Sequence, residues 1–283
     1  MGNLSLRVAS TIFLWTATLG VILARWKTGV ILLLAGLGLA AQSEFYAMFQ
    51  PQGMAAFRKT GLLFGLLLMG GCWYSLVWNP SFGQRYPFWQ EGVLVGLLFT
   101  LLVRVVLWPE GPAPIGRVAI TLLGFVYVPY LLSFLARLAL LSSPGYDSFA
   151  AALYLVATTK CGDAAAFLVG SAVGRHKLLP RVSPGKTWEG AVGGLALSVG
   201  VSVGLWRLLR TGLRGFSLPE IVGLGLFLGV AGVVGDLAKS VAKRQAQVKD
   251  SGSIIPGIGG ALDLIDSVLF TSPLLYWYTR LRF

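Results

Sequence analysis

The 283-residue sequence predicts an all-α, polytopic membrane protein with about nine transmembrane helices. Three observations predict it. Hydrophobic residues make up 55% of the chain against 12% charged, and mean hydropathy is +0.75, a balance foreign to soluble domains. Apolar runs recur at close to the 20 or so residues that a helix needs to cross a bilayer. Within those runs polarity does not alternate from residue to residue, as the strands of a membrane β-barrel would require.

Taken in order, the runs place spans at 5–24, 29–49, 61–78, 91–108, 116–140, 148–172, 188–209, 219–242 and 261–279. The first reads as an uncleaved span, because no small-x-small cleavage pattern precedes Arg25-Trp26-Lys27. Turn-rich separators divide the rest: Gln50 to Gly53, Asn79 to Gly83, Pro109 to Pro114 and Ser142 to Gly145. Trp15, Trp73, Trp78, Trp89, Trp108, Trp188 and Trp277 fall mostly near span ends, where aromatic belts lie. The glycines of 61–71 and 223–235 suit close helix packing. Glu44 and Arg104 are lone charges in apolar surroundings and read as snorkelling or structurally paired groups. Cys72 and Cys161 sit in apolar runs and suggest neither a disulfide framework nor a zinc site. The simplest organisation is a single membrane domain, 1–283. Within it, 1–140 form N-terminal helices acting as scaffold or lipid entrance, and 148–283 form the catalytic helices and loops.

The net charge of +12 would suggest nucleic acid in a soluble protein. Here the cations lie at span ends and in two loops, which fits phospholipid head groups and a polyphosphate better than nucleic acid. With nine spans and the N-terminus inside, the basic stretches Arg175 to Lys186 and Lys243 to Lys249 both face the cytoplasm. Arg25, Lys27, Arg207, Arg210 and Arg214 then fall outside.

The densest chemistry lies in Gly235 to Ser267, which holds four of the six aspartates: Asp236, Asp250, Asp263 and Asp266. Each carboxylate costs roughly 2.5 to 3.5 kcal/mol to insert into a bilayer, a cost rarely met for packing alone. On a helix continuing from Val230, the residues Asp236, Ser240, Lys243 and Gln247 share one face. The glycines and proline from Ser251 to Gly260 then force a loop. Asp263 and Asp266 follow, three apart on one helical face near the helix N-terminus. Such oxygen ligands suit magnesium, which binds through one or two carboxylates plus substrate phosphates while basic side chains hold the remaining phosphate charge.

A second block runs from Thr158 to Glu189. Lys160 and Asp163, three apart in an apolar run, read as an ion pair on one helix face. Ser183-Pro184-Gly185-Lys186-Thr187-Trp188-Glu189 reads as a loop and then a helix start, opened either by Ser183 with Pro184 or by Thr187 with Glu189. A helix start is an anion site, so Ser183, Lys186 and Thr187 are candidates for nucleotide phosphate. The segment lacks the first glycine and the strand of a P-loop. His176, the only histidine, reads as a solvated neighbour rather than a base.

Both blocks resemble the phosphatidate cytidylyltransferase (CDP-diacylglycerol synthase) family. Ser240, Lys243-Arg244, Lys249-Asp250, Pro256-Gly257, Gly259-Gly260, Asp263 and Asp266-Ser267 follow its signature in order and spacing. Ile258 stands where the family has histidine, Leu264 where it has arginine, and Lys239 where an acid commonly precedes the serine. Asp163, Phe167, Gly174-Arg175, Ser183-Pro184, Lys186-Thr187 and Glu189-Gly190 follow a second family region.

The resemblance implies attack of phosphatidic acid on the α-phosphorus of CTP, giving CDP-diacylglycerol and pyrophosphate. It implies catalytic roles for Asp236, Lys249, Asp250, Asp263 and Asp266, with the four aspartates holding Mg2+. It implies substrate contacts from Asp163, Arg175, Ser183, Lys186, Thr187, Ser240, Lys243 and Arg244. The expected partners are CTP, phosphatidic acid and membrane lipids, with a homodimer as a candidate assembly. The expected location is a bacterial inner membrane with the active site facing the cytoplasm. The rival readings are a CTP-dependent lipid kinase, which passes on the γ-phosphate, and a non-enzymatic transporter with an intramembrane ion site.

Overall fold

The computed structural model describes residues 16–50, 55–108, 113–141, 143–248, 250–252, 254–255 and 259–283. After a short helical stretch at 16–23 the elements are α1 (Lys27–Phe49), α2 (Arg58–Trp73), α3 (Pro80–Arg85), α4 (Trp89–Leu107), α5 (Pro114–Phe125) and α6 (Leu131–Leu140). The chain continues through α7 (Ser148–Val173), β1 (Lys177–Leu179), β2 (Ser183–Thr187), α8 (Trp188–Leu208), α9 (Leu218–Gln245) and α10 (Ala261–Arg282). A π-helical turn, Val126–Tyr130, joins α5 to α6 and contains Pro129. Proline has no N–H to donate, and a π turn lets the helix continue past it.

The chain is an integral membrane protein. Among the described residues seven helical stretches, 19 to 28 residues long, have the length and apolar composition to cross a bilayer. At 1.5 Å per residue they reach about 28 to 42 Å. They coincide with the spans expected from 29–49 to 219–242. The expected first span lies mostly outside the described residues, as do Trp15, Lys249, Ile258, Pro256-Gly257 and parts of three expected separators. The expected ninth coincides with α10, which carries Asp263, Pro273, Arg280 and Arg282 and stands apart from the seven. Phe99, Val106, Phe167, Val192 and Leu208 are exposed on these helices, the apolar outer surface that lipid requires.

Two expectations are corrected. The segment before α8 is a two-stranded antiparallel hairpin rather than a loop, with Lys177 opposite Thr187 and Leu179 opposite Ser183. Helix α9 ends at Gln245, and Gln247 has φ +55°, so it leaves the helical face expected to carry Asp236, Ser240 and Lys243.

The chain forms two compact units, 1–136 with 246–265, and 137–245 with 266–283. In the first, α1 packs on α2 and α5 around Phe45, Tyr46, Leu68, Met69 and Phe125. Gln42 donates to the Tyr46 hydroxyl and to the Gly61 carbonyl, both at 2.9 Å, and Tyr46 donates to the Thr121 carbonyl at 2.9 Å. These bonds satisfy polar groups that lipid would leave bare.

In the second unit α8 lies tightly against α7 and α9. The buried residues of α8 are Gly190, Gly194, Ser198 and Ser202, one every four positions. A Cβ at Gly190 would lie 2.6 Å from the Ala166 carbonyl oxygen on α7. This small-residue stripe brings backbones together where no hydrophobic effect drives helices to associate. On α9, Gly225 and Gly229 receive Ser202 and Leu195 in the same way. The close approach fixes the spacing of the helices that carry the polar groups described next.

Candidate active site

In the second unit, helix α7 begins with the Asp147 side chain accepting from the Ala150 N–H at 3.0 Å. About three turns later it presents Lys160 and Asp163. The hairpin then delivers Lys186 just before Thr187, whose hydroxyl caps α8 by accepting from the Gly190 N–H at 3.1 Å. Thr187, not Ser183, therefore opens the helix. Helix α9 presents Asp236 and Lys239, three apart, and α10 presents Asp266 and Ser267.

These side chains form one alternating series. Lys186 Nζ lies 2.8 Å from Asp236 Oδ2, and Lys239 Nζ lies 3.1 Å from Asp236 Oδ1. Lys239 also donates to Asp266 Oδ2, in a short bond. Lys160 Nζ lies 3.6 Å from Asp266 Oδ1 and 3.4 Å from Asp163 Oδ2, and it donates to Ser267 Oγ at 2.8 Å. Ser267 Oγ in turn donates to Asp163 Oδ2 at 2.6 Å. Three carboxylates and three ammonium groups thus meet with no net formal charge. The centre is dry: the side chains of Lys239 and Asp266 are 9% and 6% exposed. The flanks are more open, with Asp163 at 35% and Asp236 at 33%. A ligand therefore meets Asp163, Asp236 and Lys186 first.

The rim of this site is basic. Glu189 accepts from the backbone N–H groups of Arg175 and His176, and its carboxylate lies 2.6 Å from His176 Nδ1. It thereby ties the exposed 175–176 turn to the start of α8. Arg244 Nε donates to the Val182 carbonyl at 3.3 Å, holding the end of α9 to the hairpin. Ser240 is spent locally, its hydroxyl donating to the Asp236 carbonyl at 2.9 Å. Ser183 sits half-buried at the start of β2, and Lys243 half-buried near the end of α9.

In the first unit, residues 250–252, 254–255 and 259–260 precede the start of α10. Ile255 and Gly259 exchange two backbone hydrogen bonds of 3.0 Å, and Gly259 adopts φ +119°, a conformation that needs glycine. Ser251 donates to Asp263 Oδ2 at 2.5 Å. Glu44, buried on α1, accepts from the Ile254 N–H at 3.3 Å and the Leu262 N–H at 3.0 Å. Gly252 and Gly260 back onto it, and a Cβ at Gly260 would lie 2.8 Å from Glu44 Oε2. Asp250 is exposed.

The structure therefore joins Asp163, Lys186, Asp236 and Asp266 in one cluster. It places Asp263 beside Ser251 and leaves Asp250 at the surface. Lys160, Lys239, Ser267, Ser251 and Glu44 are residues to which sequence reasoning gave no binding or catalytic role. Lys160 reads in sequence as a local ion pair, which it is, but one whose ammonium also reaches Asp266 and Ser267. Glu44 is buried rather than snorkelling, and among the described residues it has no cationic partner; it accepts from backbone N–H groups of residues more than 200 positions away. Its cue in the sequence is a carboxylate inside an apolar run with no basic residue a helical turn away.

Among the described residues no three His, Cys, Asp or Glu side chains gather as metal ligands. The donor set nevertheless fits a hard cation that travels with phosphate. All the donors are oxygens, and Asp236 and Asp266 converge on a single positive group, the Lys239 ammonium. Magnesium completes its shell with substrate phosphates and water around one or two carboxylates.

Residues 5–282 match the family model described as the cytidylyltransferase family. A phosphatidate cytidylyltransferase of Synechocystis sp. is 33% identical over 287 residues, covering 92% of this chain and 90% of that protein. A phosphatidate cytidylyltransferase of Brucella suis is 34% identical over 283 residues, covering 98% and 94%. An uncharacterized Escherichia coli protein is 37% identical over 158 residues, which is 56% of this chain and 52% of its own length.

Proposed function

The chain belongs to the cytidylyltransferase family, and on that premise we propose that it transfers the cytidylyl group of CTP to phosphatidic acid, releasing pyrophosphate. The observation that carries this reading is the cluster itself. Three ammonium groups and three carboxylates, drawn from three helices and a hairpin, meet at a partly open site. A site for joining two phosphate-bearing molecules in a membrane needs this inventory.

In the reaction an oxygen of the lipid phosphate forms a bond to the α-phosphorus of CTP. The bond from that phosphorus to the bridging oxygen breaks, and pyrophosphate leaves with the electron pair. Both reactants are anions, so the protein's task is to bring them together in line and offset their charge, without a covalent nucleophile. Lys186, at the open flank and on a hairpin, is placed to hold the triphosphate. Arg175, Lys243 and Arg244 extend the basic rim around it. Lys160, fixed between Asp163, Asp266 and Ser267, is placed to hold the lipid phosphate against the nucleotide. Asp236 and Asp266 would hold magnesium, which when bound offsets phosphate charge and stabilises the departing pyrophosphate. The dry centre strengthens each of these interactions relative to water. The reading places the chain in a bacterial inner membrane with the hairpin and the end of α9 at the cytoplasmic side, where CTP is found.

Purified protein given magnesium, phosphatidic acid and CTP labelled at either phosphorus tests the reading. Label from the α-phosphorus is expected in the lipid, together with release of pyrophosphate. Lipid carrying only the γ-label would make the protein a kinase, and ion transport without labelled lipid would make it a transporter.

A further inference from the structure

Every carboxylate oxygen at the centre of the cluster already has a positive or N–H partner. Asp236 Oδ1 faces Lys239 at 3.1 Å and Oδ2 faces Lys186 at 2.8 Å. Asp266 Oδ2 takes the short bond from Lys239. Asp266 Oδ1 accepts from the Ser267 N–H at 2.7 Å, with Lys160 at 3.6 Å. The one position that both carboxylates share belongs to Lys239 Nζ, on a residue 7% exposed. Three lysines against three aspartates leave no charge for a further cation to offset.

A divalent ion entering this group alone would add two positive charges to a neutral, poorly hydrated cluster, and would compete with a buried ammonium for the same oxygens. Displacing that ammonium leaves it uncompensated away from water, which is costly. A triphosphate changes the sum. Its negative charges would offset both the ammonium and a divalent ion, so that Asp236, Asp266 and the phosphates could hold the two together.

We propose that Lys239 is a resident counter-ion that keeps the site closed to divalent cations until nucleotide arrives, so that cation binding depends on nucleotide. Lys239 thereby sets the order of entry: the metal comes with the triphosphate rather than ahead of it. The inference rests on the cytidylyl-transfer reading only for the identity of the nucleotide.

The experiment measures Mn2+ binding by electron paramagnetic resonance on the purified full chain in lipid nanodiscs. It is run without nucleotide and with the non-transferable α,β-methylene analogue of CTP. Without nucleotide, Lys239→Met and Lys239→Gln, which leave the cluster with a net negative charge, are each expected to bind Mn2+ at least ~10-fold more tightly than wild type. Lys239→Arg, which keeps the charge, is expected to behave as wild type. The analogue is expected to tighten Mn2+ binding to wild type at least ~10-fold beyond the analogue's own affinity for Mn2+ in empty nanodiscs. Nucleotide-free wild type binding Mn2+ as tightly as the Met and Gln variants would overturn the proposal, as would Lys239→Arg matching those variants. Should the Met and Gln variants fail to fold, equal Mn2+ binding by wild type with and without the analogue overturns it. A protein that does not bind the analogue refutes the functional reading instead, and the nucleotide-free comparison of wild type with its variants still decides the role of Lys239.

Discussion

Replacing Glu44 with glutamine changes one atom of the side chain and removes one of the two acceptors that hold residues 254 and 262. Glu44 Oε1 receives the Ile254 N–H at 3.3 Å, and Oε2 receives the Leu262 N–H at 3.0 Å. Glutamine keeps one oxygen and turns an NH2 toward the other donor. Gly252 and Gly260 press against the carboxylate, so the amide has no room to swing away. Leaving the buried Leu262 N–H unsatisfied costs about 1 to 3 kcal/mol, and the part-buried Ile254 N–H falls at the low end of that range. Losing a negative charge beside the first amides of α10 adds about 0.3 to 1 kcal/mol. The sum, about 1.3 to 4 kcal/mol, corresponds to a rise of roughly 10- to 10³-fold in local opening. Hydrogen exchange followed by mass spectrometry reads it directly. Amides at Ile254, Ile255 and Gly259 to Leu262 should lose protection by that factor in Glu44→Gln, while those of α2 and α8 keep theirs. Unchanged exchange at residues 254–262 would refute the reasoning, since the two hydrogen bonds would then contribute nothing to the loop.

Asp266→Asn strips the charge from the most buried carboxylate of the cluster and leaves Lys160 and Lys239 sharing two aspartates; a turnover loss of at least ~10² is expected. A melting temperature lower by about 6 to 15 °C should accompany it, from the roughly 3 to 5 kcal/mol that breaking a buried pair costs, and near-native turnover would remove Asp266 from the chemistry. Gly190→Leu should prevent α7 and α8 from closing, because even a Cβ there would lie 2.6 Å from the Ala166 carbonyl oxygen; failure to recover folded protein in detergent is expected, and a stable, active variant would show that the small-residue stripe is not what spaces the helices.

Most of the membrane fold is legible in the sequence because bilayer thickness imposes a single length scale, and seven expected spans fall on observed helices within a few residues. The hairpin at 177–187 is not legible, because Ser183-Pro184-Gly185-Lys186-Thr187 contains the residues of a turn and a helix cap, and only its pairing with Lys177 to Leu179 makes it a strand. The end of α9 is likewise hidden. Nothing local in Lys243 to Gln247 forbids helix, and the change of direction shows only in the positive φ at Gln247.

The site divides along the same line. Asp163, Lys186, Asp236 and Asp266 stand in recognisable order along the chain, so their importance is readable one residue at a time. Their partners are not. Lys239 reads as a departure from the family signature, and its meaning lies in two distances: one to a carboxylate a helical turn behind it, the other to a carboxylate 27 positions ahead. Glu44 is harder still, since the backbone groups it holds carry no side-chain signal in any sequence. Charges buried in a membrane protein declare that they have a partner; they do not declare which one. For Lys239 the partner is a pair of aspartates, so the residue that looks in sequence like a lost acid stands in three dimensions as the cation they share.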